Sequence, residues 1–324
     1  MGVLPYDMFD AARSAGDARR FERIGSIYHR GQDLAWDGRE VLAALVEKHG
    51  GVCVPQEKRA ALAAVFGPIL WGELAAWKIS AQLADRLEPL EAKMAATSQA
   101  HDEARHFYVM HDYLELALGA VPRAIHPASE RLLELVLATD DLACKLMGMQ
   151  LQVETTALTV FQHAREARIC PVLSDLLLYF EKDEARHVGL GTQCLPILMR
   201  GMGRRDGVRL TAFALEVTFR LIAANRAMEP ALRELGLDPR RVLTLAKSKQ
   251  MIVWEEVWQV TRKGGTNSTQ VVGDAISRVM EAVAGALWPP EPDAGPMERA
   301  RAFARALRRG VDQVDTTIAP QPPP

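Results

Sequence analysis

Apolar residues recur at three- and four-residue spacing through most of the chain, and runs of alternating β-branched residues are nearly absent, so the pattern predicts an all-α fold. Breakers divide it. A leading segment, residues 1–55, ends at Pro55 after a Gly-Gly pair at 50 and 51, which sets the start of the first long helix near Gln56. Pro68 predicts a kink or a fresh start just before Glu73. A second helix is expected from Glu88 or Pro89 to a stop at Gly119, and a third from about Ala128 to Ala167, after the His126-Pro127 breaker. A fourth should begin at Pro171, a residue favoured at a first helical position, and run to Gly201 or Gly203. Residues 56–203 are the expected core. Further helices over 205–228, 238–262 and 268–288, separated at Glu229-Pro230 and Lys263-Gly264-Gly265, make 204–290 a set of additions packed on that core. Residues 291–324 combine prolines with a basic helix-like segment from Glu298 to Arg309, and the final dozen are expected to be disordered.

Composition narrows the function classes. Of 324 residues, 48% are hydrophobic and 25% charged, enough for one large globular core. Lys plus Arg number 39 against 41 Asp plus Glu, so the net charge of -2 gives no reason to expect nucleic acid as a partner. Asp, Arg and Gly within the first twenty residues break the apolar segment that a secretory signal needs, which predicts a cytoplasmic protein. The charge-free apolar stretch from Ala60 to Gly72 is too short to span a bilayer, so no membrane span is expected. Cys53, Cys144, Cys170 and Cys194 form no CxxC pair and read as buried thiols without a metal role.

The chemistry lies in a repeat. The sequence 102-DEARH-106 recurs as 183-DEARH-187, near the middle of the second and fourth expected helices. Within each copy Glu and His stand three apart, so Glu103 and His106, and likewise Glu184 and His187, project from one helix face and can bind one ion together. A dimetal bundle needs one further carboxylate from each of two other helices. Glu73 and Glu154 supply them, and the interval from Glu73 to Glu103, 30 residues, equals that from Glu154 to Glu184. The site therefore reads as a duplicated helical hairpin. Ile69, Trp77, Leu151 and Leu158 surround the two lone glutamates at helical spacing, placing each acid on an inward face where an uncompensated carboxylate is costly and two cations would offset four of them. One DEARH alone would read as a solvated helix face, and His29, His49, His101, His111, His126 and His163 lack matching partners.

Oxygen-rich ligation with two imidazoles and no thiolate suits iron or manganese. Asp102 and Asp183 are expected to accept the spare imidazole N–H of a metal-bound histidine, with Arg105 and Arg186 balancing their charge. In antiparallel helices the bonds would run crosswise, Asp183 to His106 and Asp102 to His187. Trp77, Phe107, Met110, Met149 and Phe180 are candidates to line a pocket beside the metals.

At these residues the chain resembles the ferritin-like di-iron carboxylate superfamily, which includes bacterial multicomponent monooxygenases, acyl-carrier-protein desaturases and ribonucleotide reductase small subunits. The shared pattern, Glu or Asp, Glu-x-x-His, Glu, Glu-x-x-His, is matched at all six positions over about residues 60–200. The resemblance implies a ferritin-like four-helix bundle with flanking helices, two Fe ions or an Mn/Fe pair, bridging by Glu103 and Glu184, and O2 as co-substrate. It implies further an oxygenase or oxidase acting on a mostly apolar small-molecule or acyl substrate. Electrons would come from a separate reductase or ferredoxin, since no flavin, NAD or iron–sulfur motif is present. A homodimer is the assembly to test. Three branches lose support. Met110 stands where the reductase subunits usually carry a radical tyrosine, so a subunit-like protein would lack it. Phe180 stands where arylamine N-oxygenases add a histidine. Ala76 and Met149 stand where ligand-binding oxidases carry a crosslinked valine and tyrosine. The competing classes are a ferroxidase or peroxide-scavenging protein, and a scaffold keeping a relic site. An apolar pocket on the metals favours the oxygenase, an acidic channel the iron traffic.

Overall fold

The computed structural model describes residues 10–200, 202–262, 278–279, 281–283, 285–287 and 294–308. Among them every regular element is helical. Three short helices, α1 (Ala11–Arg20), α2 (Glu22–Asp33) and α3 (Gly38–His49), occupy the leading segment. They are followed by α4 (Arg59–Arg86), α5 (Leu90–Leu118), α6 (Pro127–Ala138), α7 (Leu142–Leu146), a π-helical segment (Met147–Val153) that runs into α8 (Glu154–Glu166), and α9 (Pro171–Met199). Then come α10 (Arg204–Glu234) and α11 (Pro239–Arg262), and a last described helix spans Pro296–Arg308. The expected helix over 268–288 and the final dozen residues lie outside the described residues, apart from isolated positions of the former.

Four helices, α4, α5, α8 and α9, form the bundle; α4 packs on α5, α8 on α9, and α5 on α9. On one side α2 and α3 cover α5 and α9, while on another α10 and α11 pack against α4, α8 and α9. The leading segment is thus a wall of the bundle. Two apolar clusters fill the interior. One joins Ile79 and Leu83 of α4 with Ala92 and Ala96 of α5, Met147 and Leu151 of the π segment, and Leu190 and Leu195 of α9. The other joins Leu62, Phe66 and Leu70 with Val109 and Tyr113, Phe161, and Leu173 and Leu177. Every candidate ligand falls between these clusters in its own helix, so the polar layer is sealed by hydrophobic packing on both sides. Gln56–Arg86, 31 residues with a mean hydropathy of 1.4 over its most apolar stretch, is long and apolar enough to cross a membrane by length and composition. Half of that stretch is buried. As an inner helix of the bundle, α4 has few positions that need be polar.

Three expectations about boundaries are corrected. The third helix is not continuous from 128 to 167. Thr139 turns extended, its hydroxyl accepts the Asp141 backbone N–H at 3.2 Å, and the Asp141 carboxylate caps α7 at the N–H groups of Ala143 and Cys144. Thr-Asp-Asp at 139–141 is cap chemistry that outweighs the apolar periodicity. The break at Glu229-Pro230 is absent, because α10 carries Pro230 inside it and ends at Gly236, whose φ is 85°. Burial of Leu232 and Leu235 on the far side of Pro230 offsets the lost backbone bond. Pro68 likewise lies within an unbroken α4. The Gly119 stop is seen as a left-handed C-cap with φ of 77°. Of the four thiols, Cys144, Cys170 and Cys194 are buried, whereas Cys53 is exposed.

Candidate metal centre

Local helix geometry does most of the assembly. Glu103 and His106 on α5, and Glu184 and His187 on α9, each occupy one inward helix face. Glu73 comes from the middle of α4, and Glu154 from the point where the π segment returns to α-helix. All six are buried, Glu103 and His106 completely. A π-helical stretch shifts the register of bonds and displaces carbonyls, and such segments gather at functional sites. Here the displaced acceptors are met by side chains. The Gln152 carbonyl accepts from the Thr155 and Thr156 hydroxyls at 3.1 and 2.8 Å and from the Gln250 amide at 3.3 Å, and the Leu151 carbonyl accepts from Thr155 at 2.7 Å. Close approach of α9 to this segment requires Gly191, where a Cβ would stand 2.6 Å from Leu151 Cδ2 and 2.8 Å from Gln150 Cβ.

The six side chains form two overlapping donor groups, Glu73–Glu103–His106–Glu184 and Glu103–Glu154–Glu184–His187, with the donor atoms of each group within 4.8 Å of one another. Each group could hold one metal ion, and Glu103 and Glu184 belong to both. His187 Nδ1 lies 3.0 Å from oxygens of both Glu103 and Glu184, and His106 Nδ1 lies 3.3 Å from Glu184 and 3.5 Å from Glu73 and Glu103. His106 Nδ1 and Glu103 Oε2 are buried and make no hydrogen bond with the protein, although both face the cluster. Orphaned buried donors and acceptors of this kind fit a pair of cations, which would engage the Nδ1 lone pairs and the carboxylate oxygens together.

The opposite edge of each imidazole is held crosswise. His106 Nε2 donates to Asp183 Oδ2 at 3.1 Å, and His187 Nε2 donates to Asp102 Oδ2 at 3.3 Å. Arg105 donates to Asp102 at 2.6 Å and to Asp183 at 2.8 Å, and Arg186 joins the same two aspartates at 2.8 Å each. Two cations and two anions therefore form a closed buried square in which each charge is offset by two of opposite sign. It fixes both ring planes with Nδ1 inward.

Electrostatics divides the four glutamates. Burial pushes the Glu73 and Glu154 carboxyls well above the usual range, and the charge of Glu184 adds to the effect on Glu154. Burial acts on Glu103 and Glu184 too, but the facing histidines outweigh it and hold both below the ordinary value. For His106 and His187 burial opposes the charge, yet the surrounding carboxylates win and raise both.

Two contributors had no reading in the sequence. Trp36, from the turn between α2 and α3, donates its indole N–H to Asp183 Oδ2 at 2.8 Å and lies under the Arg105 guanidinium, 4.5 Å from ring centroid to Cζ. Nothing local marks it, since its partners are far along the chain. Gln99 donates to Glu103 at 2.8 Å and to Glu154 at 3.2 Å, and its place four residues before Glu103, on the same inward helix face, is the local signal for it.

Beside Glu73 and Glu154 lies a cavity of about 110 Å³, walled by α4, α6, the π segment, α8 and α10. Of the five pocket candidates, Met149 lines it. Trp77 is 45% exposed, because the inward place one turn after Glu73 is taken by Ala76. Phe107 and Met110 on α5 and Phe180 on α9 lie away from it, on helices that contribute no wall; Phe180 instead stacks on His106 at 4.2 Å between centroids.

No protein-family model and no curated protein sequence matches the chain. Solved structures do. A Synechococcus protein with aldehyde deformylating oxidase activity aligns at a TM-score of 0.55 and 18% identity, covering 67% of this chain and 96% of its own. A variant of an R2-like ligand-binding oxidase with a reconstituted Mn/Fe cofactor aligns at 0.48 and 16% identity, covering 74% and 92%. The first of these likenesses concerns the fold. The chain has the ferritin-like helical bundle, and at its centre stands the buried carboxylate and histidine cluster through which it resembles the di-iron carboxylate superfamily.

Proposed function

We propose that the protein is a di-iron oxidoreductase, an oxidase or oxygenase that uses O2 on a mostly apolar small-molecule or acyl substrate, with electrons delivered by a separate reductase or ferredoxin. Glu73, Glu103, His106, Glu154, Glu184 and His187 would hold the ions, and Glu103 and Glu184 are common to both donor groups. An Mn/Fe pair would use the same donors. When bound, the two ions supply the redox chemistry of O2 activation. The rest falls to the chain. Asp102 and Asp183 keep the Nε2 protons of His187 and His106, so that each Nδ1 stays available. Phe180 and the two apolar clusters keep water away.

The observation that carries this reading is the cavity. Its wall includes Glu73 and Glu154, and apart from them it contains no charged side chain. A route for iron ions would need acidic lining, whereas an organic substrate of low polarity fits this one. The ferritin-like bundle also carries an oxidase activity in the Synechococcus protein, in accord with the proposal. The test is anaerobic loading of metal-free protein with Fe(II), followed by O2. Two irons per chain, magnetically coupled in Mössbauer spectra, with O2 consumption, are expected; one metal per chain or a mononuclear signal rejects the reading.

A further inference from the structure

The cavity has three uncharged polar side chains in its wall, Ser129 of α6, Thr156 of α8 and Asn225 of α10. Thr156 is committed, since its hydroxyl donates to the Gln152 carbonyl at 2.8 Å. Ser129 and Asn225 are not. They are 4% and 6% exposed, and Ser129 Oγ and Asn225 Oδ1 are buried atoms without a hydrogen-bond partner in the protein. Native interiors rarely leave such groups unmet. Asn225 is also a poor choice for the middle of a helix face shared with Leu221 and Met228, where an apolar residue would pack without cost.

We infer that Ser129 and Asn225 are the specificity determinants of the cavity, and that its ligand is a neutral, mainly apolar molecule bearing one hydrogen-bonding group, a hydroxyl or an amide. The inference rests on the proposed reading of the cavity as a substrate site. A hydroxyl both donates and accepts, so it satisfies Asn225 Oδ1 and the Ser129 hydroxyl together. A carboxylate does not meet this need, because its oxygens only accept whereas Asn225 Oδ1 lacks a donor. The α4 part of the lining runs from Val65 to Ala76, about 16 Å at 1.5 Å per residue, so an elongated ligand can lie along it.

The test measures dissociation constants of 1-octanol, 1-chlorooctane and octanoate on the iron-loaded full chain by titration calorimetry. Octanol is expected to bind about tenfold more tightly than chlorooctane, the scale of one satisfied buried hydrogen bond, with octanoate weakest. In Asn225→Leu, an apolar replacement with the same branched heavy-atom skeleton, the preference for octanol should fall to about threefold or less while chlorooctane still binds. Combined with Ser129→Ala it should vanish. Equal binding of octanol and chlorooctane to the unaltered protein, an undiminished preference in the double variant, or tightest binding of octanoate would each overturn the inference. Iron content and O2 uptake are read on the same preparation. Two irons with O2 uptake but no octanol preference leaves the di-iron reading standing; one iron per chain with the preference intact does the reverse.

Discussion

On the α5 and α9 flank of the centre, Asp102, Asp183, Arg105, Arg186 and Trp36 hold both histidines in a closed set of charged hydrogen bonds. On the α4 and α8 flank, Glu154 receives one amide donor, Gln99, and Glu73 has no comparable bracing before the apolar cavity begins. On the first flank each aspartate and arginine has partners of opposite sign, so displacing one would leave an unpaired ion in a low-dielectric interior. The second has carboxyls driven toward protonation by burial, with open space beside them. One side of the site is built to stay still. The other leaves room for a molecule to approach the metals.

The largest test of this contrast is the loss of a donor common to both ion positions. Glu184→Ala should abolish binding of both metals, with metal analysis falling from two toward zero per chain, whereas Glu73→Ala should leave close to one. If both variants lose metal equally, the donor groups are not as drawn.

Behind the α8 flank, Lys249 of α11 is buried, donates to Gln162 at 2.6 Å, and has its pKa pushed down by burial to about 8. A lysine depressed in the folded state disfavours folding while it is charged. Its penalty is therefore fully present below about pH 8, declines between there and the ordinary lysine value of 10.5, and is gone above it. Replacing it by methionine should stabilise the protein at pH 7 by at most about 3 kcal/mol. The difference between the two proteins in urea unfolding should shrink as pH rises to 10.

A smaller effect is expected from Asp183→Asn, which removes a charge facing His106, Arg105 and Arg186. Metal affinity should fall about 10–100-fold, the usual consequence of losing the group that orients a histidine ligand. The matching change on a residue of the cavity wall, Ala76→Leu, should leave affinity for metal within about threefold, since no buried charge is unpaired. Competition with a chelator of known strength measures both. Trp36→Phe removes one donor from Asp183 while keeping an aromatic face under Arg105, and should cost about 1–2 kcal/mol of stability, read by thermal unfolding.

The six-residue cluster was legible because its information is local. Glu-x-x-His depends only on the pitch of a helix, and the two equal intervals depend only on hairpins of equal length. Caps and stops such as Pro171 and Gly119 are local too. The Thr139–Asp141 break was also written in the chain, but as polar cap chemistry beneath an apolar periodicity, and the periodicity reads louder. Pro230 misled in the other direction, because the burial of Leu232 and Leu235 that keeps α10 intact depends on surfaces far along the chain.

Sequence alone determined the all-helical class, the face on which each ligand stands, and the number of carboxylates that must share one interior. Tertiary structure decided which walls close around them. Helical periodicity specifies that a face is buried but not against what, so Trp36 meeting Asp183 over 147 positions, and Ser129 and Asn225 lining one cavity, become visible only once the helices are packed.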